Sequence, residues 1–333
     1  MPQSSRGTAR PVRLAGSAGV TAANPAGPLM LLDAASLWYR AFHGVPESVT
    51  APDGTPVNAV RGFLDMVARL VRDRRPARLV ACLDLDWRPA FRVAAVPSYK
   101  EHRLSPAGGE AEPPALTPQV PLILEVLDAL GIAAVGAAGY EADDVCGALA
   151  ARDAGPVDVV TGDRDLLQLV RDTPPVTRVL YTGRGIARLE IADEGWVTAK
   201  HGIPGRAYAD YAVLRGDPSD GLPGVPGVGA KTAAALVTRF GSLEAILAAL
   251  DEGATDGFPA GSRAKLAAAR DYLAAAPVVV RAALDLDLPE HDDRLPSTPA
   301  RPADLVALAE RWALDSPLNR LLAAIEVAHA AER

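Results

Sequence analysis

The sequence predicts an α/β fold with a mostly parallel, twisted sheet flanked by helices, followed by a helical C-terminal region. Three short apolar runs carry this prediction: residues 28–33 (PLMLLD), 78–84 (RLVACLD) and 157–161 (VDVVT). Each run is rich in apolar or β-branched residues and is bounded by polar or turn residues, which is typical of buried strands in a parallel sheet.

Helical patterns separate these runs, at about residues 57–73, 119–130 and 141–153. An alternation of strand and helix indicates an open α/β sheet. Because ligands bind at the carboxyl ends of the strands in such sheets, we expect the functional side chains along that edge.

Acidic side chains gather at this predicted edge. Asp33 and Asp84 each end a strand, and Asp163 and Asp165 follow the third strand. A lone Asp after a strand is more often a turn residue than a ligand. Acids from several segments at one edge are not what a turn or cap explanation predicts, so together they favour a shared site.

The stretch GYEADD (139–144) adds Glu141, Asp143 and Asp144 just before an alanine-rich helical run. Helix capping would need only one or two of these acids. Adjacent carboxylates repel one another unless protonation or a metal ion relieves the repulsion. The third acid therefore favours a cation site over capping alone.

Two further acids, Asp217 and Asp220, lie three residues apart in LRGDPSDG (214–221). On a helical turn this spacing places both carboxylates on one face. An ordinary turn is the alternative, because Asp, Pro, Ser and Gly are also the preferred turn residues.

Residues 222–236 (LPGVPGVGAKTAAAL) predict a phosphate-binding hairpin. Gly224, Gly227 and Gly229 precede a helix that carries Lys231 and Thr232. Glycines let the backbone approach a phosphate, and free N–H groups at a helix start attract its charge. The layout, at about 210–240, is typical of a helix–hairpin–helix that grips a duplex through its phosphates. A plain tight loop is the alternative, but it would need fewer glycines.

The segment at about 86–118 is a long connection, rich in Pro and Gly, between a strand and a helix. Such connections are often functional lids or binding loops. Its first part carries the basic and aromatic residues Arg92, Tyr99, Lys100 and Arg103. Each of these alone is more often a solvated surface residue, so the prediction depends on their position.

The amino-acid composition limits the classes of function that this chain can have. The chain has 333 residues, a net charge of −7 and two cysteines, Cys82 and Cys146, which we expect to be buried thiols. A negative net charge argues against a nucleic-acid partner, but a cluster of metal-binding acids lowers it without making the binding face negative. No apolar run approaches the roughly 18 to 20 residues that span a bilayer. We therefore expect a cytoplasmic protein with no membrane partner.

Six motifs, taken in order, resemble the 5′-nuclease family: LLDAASLWYRAF, ACLDLDWRPAFR, SYKEHR, GYEADDV, TGDRDLLQL and LRGDPSDGLPGVPGVGAKTA. This family contains the 5′→3′ exonuclease domain of bacterial DNA polymerase I and free-standing flap endonucleases. The resemblance implies a PIN-like, 5′-nuclease-like core and a C-terminal helix–hairpin–helix region. It also implies structure-specific, metal-dependent hydrolysis of phosphodiesters at DNA 5′ ends in replication and repair.

The resemblance assigns the acids to two metal clusters. The first comprises Asp33, Asp84, Glu141, Asp143 and Asp144, and the outer one comprises Asp163, Asp165, Asp217 and Asp220. Two or more Mg²⁺ or Mn²⁺ ions would bind there, because these hard cations prefer oxygen ligands. A K⁺ ion at the hairpin is a further candidate.

The resemblance also makes segment 86–118 the arch through which a single-stranded 5′ end passes. Lys100 and Arg92 would then contact the scissile phosphate, Tyr99 would stack on an unpaired base, and Arg103 would contact DNA. Three departures from the family pattern concern DNA binding: Gly221 where an Asn is common, Pro226 where a Lys is common, and the acidic stretch GGEAEPPA in the arch.

The expected organisation is a flexible tail (1–27), a nuclease core (28–200) and a helical region (201–333). The expected partner is DNA with a 5′ flap, a nick or a single-stranded 5′ end, with an RNA–DNA hybrid as a further candidate, bound by a monomer. Three alternatives stay open: a DNA glycosylase with the same hairpin, a catalytically silent junction-binding protein, and a phosphatase suggested by Asp84 and Asp86.

Overall fold

A computed structural model describes residues 27–106 and 108–330 of the chain. The tail expected at 1–27 lies outside the described residues except for Gly27. The α/β fold class with a C-terminal helical region is confirmed.

The described residues contain six strands: β1 (Leu29–Asp33), β2 (Arg78–Leu83), β3 (Ala133–Gly136), β4 (Val157–Thr161), β5 (Thr177–Tyr181) and β6 (Glu190–Ala192). They form one sheet in the order β3-β2-β1-β4-β5-β6. Strands β1 to β5 are parallel, and β6 runs antiparallel to β5. The sequence predicted β1, β2 and β4 and missed the other three.

Fourteen α-helices lie within the described residues. They are α1 (Ala34–Gly44), α2 (Asn58–Arg74), α3 (Ala90–Ala95), α4 (Gln119–Leu130), α5 (Ala142–Arg152), α6 (Glu194–His201), α7 (Tyr208–Arg215), α8 (Ala230–Phe240), α9 (Leu243–Asp251), α10 (Ser262–Ala268), α11 (Arg270–Ala275), α12 (Pro277–Val280), α13 (Pro302–Trp312) and α14 (Asp315–Ala330). The three helices predicted from the sequence correspond to α2, α4 and α5.

The sheet is buried on both faces, as its apolar strands predicted. Along β1, Leu29 and Leu31 join one core cluster, while Met30 and Leu32 join the other. This alternation follows from the two-residue period of a strand. Helices α5, α7 and α8 contribute to the first cluster, and α1, α2, α4 and α14 contribute to the second.

The C-terminal helices return to the nuclease core. Leu318, Leu321 and Ile325 of α14 pack in the same cluster as α2, and Arg320 pairs with Asp65 of α2 at 2.8 Å. The boundary expected at residue 200 stays a prediction. The helices that follow it divide into a part near the hairpin and a part that supports the sheet.

The two cysteines are free and buried, as expected, with Cys82 in β2 and Cys146 in α5. Within 27–106 and 108–330, no single helix has the length and apolar character to cross a membrane. Helices α8 and α9 together are long and apolar enough, but their axes are bent by 81° where the two helices join.

Candidate active site

The predicted acids converge where the central parallel strands end. Asp33 is the last residue of β1, and β1 lies between β2 and β4. Asp84 directly follows β2, and Asp163 lies two residues beyond β4. Together with Glu141 and Asp143 from the start of α5, these acids line one cavity of about 970 Å³, which we call the active-site cavity.

Asp33 joins two strand ends and begins the first helix. Its Oδ1 accepts a hydrogen bond from the Ser36 backbone N–H (3.1 Å), and its Oδ2 accepts one from Thr161 Oγ1 (2.6 Å). Burial and the neighbouring charge of Asp84 raise the pKa of Asp33 to about 7. This carboxyl therefore holds its negative charge only with difficulty in the protein alone.

The carboxyl groups of Asp84 and Asp143 also have raised pKa values. Asp84 Oδ1 accepts a hydrogen bond of 2.6 Å from the Ala142 N–H, which ties the start of α5 to the end of β2. Burial raises the pKa of Asp84 despite that bond. Burial and the charges of Asp163 and Asp33 raise the pKa of Asp143 well above its ordinary value. A bound cation would relieve this repulsion.

Glu141 is held by three side chains of the arch. Arg92 and Lys100 each form a short ion pair with it, and the Tyr99 hydroxyl donates a hydrogen bond of 2.7 Å. Burial raises the pKa of Glu141, but the charges of Lys100 and Arg92 outweigh this effect and leave it below its ordinary value. Glu141 is therefore ionised at neutral pH.

Asp144 lies beneath the cavity, where no part of it is exposed. Its Oδ1 accepts hydrogen bonds from Arg92 (2.7 Å) and from the Ala283 backbone (2.8 Å), and its Oδ2 accepts one from the Glu141 backbone (3.2 Å). Unlike Asp143, Asp144 does not line the active-site cavity, so its assignment as a metal ligand stays a prediction that this conformation does not favour. In this conformation Asp144 caps α5 and anchors Arg92.

Arg92 and Tyr99 are also buried, each only 3% exposed. Two expectations therefore find no support in this conformation and stay predictions. Tyr99 presents no free ring face on which a base could stack, and the guanidinium of Arg92 faces Glu141 and Asp144 rather than the cavity. Both residues hold the start of α5 in place.

Lys100 and Arg103 are the two permanently charged arch cations that line the active-site cavity, and Lys100 pairs there with Glu141. Burial lowers the pKa of the Lys100 ammonium, but Glu141, Tyr99 and Asp220 together outweigh burial and raise this pKa well above the ordinary value. The Lys100 backbone is left-handed, with φ of 46°, a conformation that costs energy for a residue with a side chain. The surrounding contacts must therefore enforce this geometry.

Those contacts come from the turn that carries Asp217 and Asp220. The Lys100 N–H donates to the Asp220 carbonyl (3.0 Å), and Ser98 Oγ donates to the Gly221 carbonyl (2.7 Å). Gly221 has φ of +71°, and a Cβ there would lie 2.1 Å from the Ser98 carbonyl oxygen. The departure to Gly221 is thus explained, because glycine lets the arch base dock on this turn.

The outer acids form a second group beside the first. Asp217 Oδ2 accepts hydrogen bonds from Arg164 (3.1 Å) and Arg215 (3.2 Å), and Asp220 pairs with Arg103 (3.2 Å). Burial raises the pKa of Asp220 to about 6.

Asp165 is the best fit for a cation in this group. Its Oδ1 is buried and has no hydrogen-bond partner. Burial and the charges of Asp163, Asp220 and Asp217 raise the pKa of Asp165 well above its ordinary value. An orphaned carboxylate oxygen among like charges is what a site for a hard divalent cation requires.

Within the described residues, however, no group of three or more Asp, Glu, His or Cys side chains is arranged so that it could hold a metal ion. Three of the acids are held in ion pairs: Glu141 by Lys100 and Arg92, and Asp217 and Asp220 by arginines. Metal binding by these three carboxylates therefore needs side-chain movements away from their partners.

The hairpin has the predicted form, with Gly229 as the N-cap of α8 and no side chain capping that helix. Gly227 and Gly229 are exposed, as is Lys231 in the first turn, and Thr232 is half-buried. The role of Gly224 in DNA binding stays a prediction that this conformation does not favour, because Gly224 is buried and its N–H donates to the Tyr272 hydroxyl (3.2 Å). It shapes the turn and is not available to a phosphate in this conformation.

The sequence reasoning missed one face of α1. Ser36, Tyr39, Arg40 and His43 all line the active-site cavity. Among the described residues, neither Arg40 nor Arg184 of the same cavity is paired with a carboxylate. The signal was present, because positions separated by three, four and seven residues share a helix face.

Comparisons with known proteins agree with this geometry. Two family models match: "5′-3′ exonuclease, N-terminal resolvase-like domain" over residues 28–202 and "5′-3′ exonuclease, C-terminal SAM fold" over residues 203–303. A "5′-3′ exonuclease" of Streptomyces coelicolor is 58% identical over 298 residues, which are 88% of this chain and 98% of that protein. A "5′-3′ exonuclease" of Mycobacterium tuberculosis is 53% identical over 312 residues, 90% and 98% of the two chains.

A solved structure shares the fold. The bacteriophage T5 flap endonuclease, in a pseudo-enzyme–product complex with DNA and metal ions, has a TM-score of 0.59. It is 18% identical, and the match covers 91% of this chain and 99% of that one. At this identity the likeness supports the fold alone.

Proposed function

Since the chain belongs to the 5′-3′ exonuclease family, we propose that it is a divalent-metal-dependent 5′→3′ exonuclease and flap endonuclease acting on DNA. The convergence of Asp33, Asp84, Asp143 and Asp163 on one cavity is the observation that carries this proposal. Their mutual repulsion is consistent with a site built for cations.

The residues present fit Mg²⁺ or Mn²⁺. Asp33, Asp84, Asp143 and Asp163, with Glu141 once Lys100 has moved, would hold ions of the first group, and Asp165, Asp217 and Asp220 those of the outer group. When bound, such ions activate a water molecule and stabilise the leaving 3′ oxygen of a phosphodiester. A K⁺ ion at the hairpin remains a weaker proposal, because nothing in the hairpin's contacts singles out a site for it.

The chain's own side chains do the rest. Lys100, held at the cavity by the docked arch base, neutralises charge that develops on the scissile phosphate. Arg40 and Arg184 add positive charge for the phosphates of the bound strand. Gly227, Gly229 and Lys231 grip the duplex beyond the site through its backbone.

The other candidate functions lose support. A catalytically silent junction-binding protein would not need so many mutually repelling carboxylates at the carboxyl edge of the sheet. A glycosylase would leave them without a role, and the family membership argues against a phosphatase. The binding of an RNA–DNA hybrid and a monomeric state are extensions of the same proposal.

The deciding experiment is cleavage of 5′-labelled flap, nicked, gapped and RNA-primed duplexes with Mg²⁺, Mn²⁺ or EDTA. We expect metal-dependent release of 5′ products from the flap and nicked substrates. A duplex with a damaged base serves as the glycosylase control. Binding without cleavage under every metal condition would favour the silent junction-binding protein.

Replacing Lys100 with Ala should lower the single-turnover rate by about 10²- to 10³-fold, with a smaller change in affinity, if its ammonium stabilises the transition state. Arg103→Ala is the comparison variant for which we expect a smaller effect, because Arg103 lines the same cavity but pairs with Asp220 and the Ser219 carbonyl instead of Glu141. Both rates are measured at saturating enzyme. Equal, small effects would remove Lys100 from the reaction.

Replacing Lys231 with Glu should weaken duplex binding without changing sequence preference. The slope of log affinity against log salt should become shallower by about one, because one phosphate contact is lost. Arg294→Glu is the charge-matched control, since Arg294 lies exposed beside the opposite, N-terminal end of β2. Fluorescence anisotropy from 50 to 200 mM salt measures both slopes. Matching slopes for the two variants would contradict the hairpin assignment.

A further inference from the structure

A short segment of the C-terminal region, residues 280–283, lies against two elements that carry the active-site acids. We call it the bridging segment. The Ala282 N–H donates a hydrogen bond to Gln168 Oε1 (3.1 Å), and the next N–H along the chain, that of Ala283, donates to Asp144 Oδ1 (2.8 Å). Gln168 lies in the 3₁₀ helix that contains one of the outer acids, and Asp144 lies in the first turn of α5. Two consecutive backbone groups therefore link the outer acids to the first group.

Both hydrogens and the oxygen of the Gln168 amide have partners. Its Nε2 donates to the backbone carbonyls of Asp165 (2.8 Å) and Val280 (3.0 Å), and its Oε1 accepts the Ala282 N–H. Asp165 is the acid whose Oδ1 is buried without a hydrogen-bond partner. Its backbone N–H is held by Asp163 Oδ1 (2.9 Å). Since a fully paired amide is fixed in orientation, Gln168 fixes the backbone from which this unpaired carboxylate projects.

Helix α5 receives the bridging segment at a glycine. Gly147 lies in the interior of α5, where glycine is less favourable than alanine. A Cβ at this position would lie 2.8 Å from the Ala283 carbonyl oxygen and 3.1 Å from the Ala282 Cβ. The glycine therefore lets the bridging segment pack directly on the backbone of α5, one turn beyond Asp143, which lines the active-site cavity.

Arg281, in the middle of the bridging segment, connects a third element. Its guanidinium donates to Asp210 of α7 (2.8 Å) and to Glu244 of α9 (2.5 Å). Helix α7 leads into the turn that carries Asp217 and Asp220. The same short segment is thus bonded to α5, to the turn after β4 and to the helix that leads into the remaining outer acids.

We propose that the bridging segment sets the distance between the two groups of acids, and that Gln168 is a positioning residue that fixes Asp165 for an ion of the outer group. The inference rests on the proposed function, because it takes the acids as metal ligands. Two ions act on one phosphodiester only when they are held at a fixed separation. Gln168 touches neither ion nor substrate and acts through the backbone of Asp165.

Replacing Gln168 with Met tests this role, because Met fills a similar volume and makes none of the three hydrogen bonds. Mn²⁺ binding is measured from the electron paramagnetic resonance signal of the free ion, and single-turnover flap cleavage is titrated with Mg²⁺. We expect about a tenfold loss of Mn²⁺ affinity and about a tenfold rise in the Mg²⁺ concentration for half-maximal cleavage, the scale on which loss of a metal ligand's hydrogen-bond partner acts. Affinity for the flap substrate in EDTA, read by fluorescence anisotropy, should not change.

Gln119→Met is the matched control. Gln119 is a buried glutamine whose amide donates to Asn58 Oδ1 (2.9 Å) and accepts the Ala59 N–H (2.8 Å), and it does not line the active-site cavity. This variant should lower the melting temperature at least as much as Gln168→Met does, because it also loses buried hydrogen bonds. It should keep the wild-type Mn²⁺ affinity.

Gly147→Ala probes the same contact from the side of α5, and it decides the question if Gln168→Met does not fold. The added methyl group favours the helix but displaces the bridging segment. We therefore expect weaker Mn²⁺ binding in a protein that still folds.

The outcomes separate this inference from the proposed function. Wild-type Mn²⁺ affinity in folded Gln168→Met or Gly147→Ala protein would overturn the inference and leave the nuclease assignment intact. An equal loss of affinity in Gln119→Met would do the same, because the loss would then reflect general destabilisation. Failure of the wild-type protein to bind Mn²⁺ and to cleave any flap substrate would overturn the proposed function as well.

Discussion

Replacing Asp163 with Asn is expected to lower Mg²⁺-dependent cleavage by at least about 10²-fold, the scale on which removal of one electrostatic group from an active site acts. The fold should persist. The Asp163 Oδ1 that accepts the Asp165 N–H (2.9 Å) has a counterpart in Asn. The substitution also removes one of the charges that raise the pKa values of Asp33, Asp143 and Asp165.

Without metal, the melting temperature of Asp163→Asn should therefore equal or exceed that of the wild type, because like-charge repulsion is relieved. Wild-type protein should gain more stability from added Mg²⁺ than the variant does. Asp285→Asn, at an exposed position, is the control. Undiminished cleavage by Asp163→Asn would remove this residue from the site, and a large loss of metal-free stability would make its role structural.

Replacing Arg92 with Met should destabilise the protein by about 3–5 kcal/mol, because it leaves Glu141 and Asp144 as buried charges with fewer partners. The Arg92 and Asp144 side chains are 4% and 0% exposed, so solvent compensates little. Urea unfolding, read from the transition midpoint and its slope, gives the change.

Arg320→Met is the matched control for this variant. Arg320 also makes a paired contact with one carboxylate, Asp65, but those side chains are 52% and 44% exposed. Exposed pairs contribute about 0–1 kcal/mol. If Arg92→Met proved as stable as Arg320→Met while losing activity, the side chain would act on substrate and not on the fold.

The predictions from the sequence succeeded where local pattern and function coincide. Strands β1, β2 and β4 are apolar runs that end at acids, so one pattern marked both the buried strand and the functional edge. Strands β3 and β6 gave little signal, because Ala133–Gly136 is alanine-rich and Glu190–Ala192 has three residues. Their strand conformation is stabilised by pairing at the sheet, which local sequence does not encode.

For the candidate site, too, the sequence predicted some features and packing decided others. The sequence located the acids and the hairpin glycines. The family resemblance is confirmed, and the roles that it gives to these residues stay predictions. The sequence reasoning treated Asp144 as equivalent to Asp143, although neighbouring helical positions point in different directions. Only packing shows that Asp143 faces the cavity while Asp144 faces Arg92 and the backbone of Ala283.

The sequence by itself determined the fold class, the edge at which the acids meet and the kind of cation they suit, because these follow from strand periodicity and carboxylate chemistry. The tertiary structure decided which side chains hold those acids. It also decided how Gly221 receives the arch base at Ser98. The contacts of Arg92 with Asp144 and of Ser98 with Gly221 join residues about 50 and more than 120 positions apart. Such pairings depend on how the helices and the arch pack on the sheet, which no local pattern specifies.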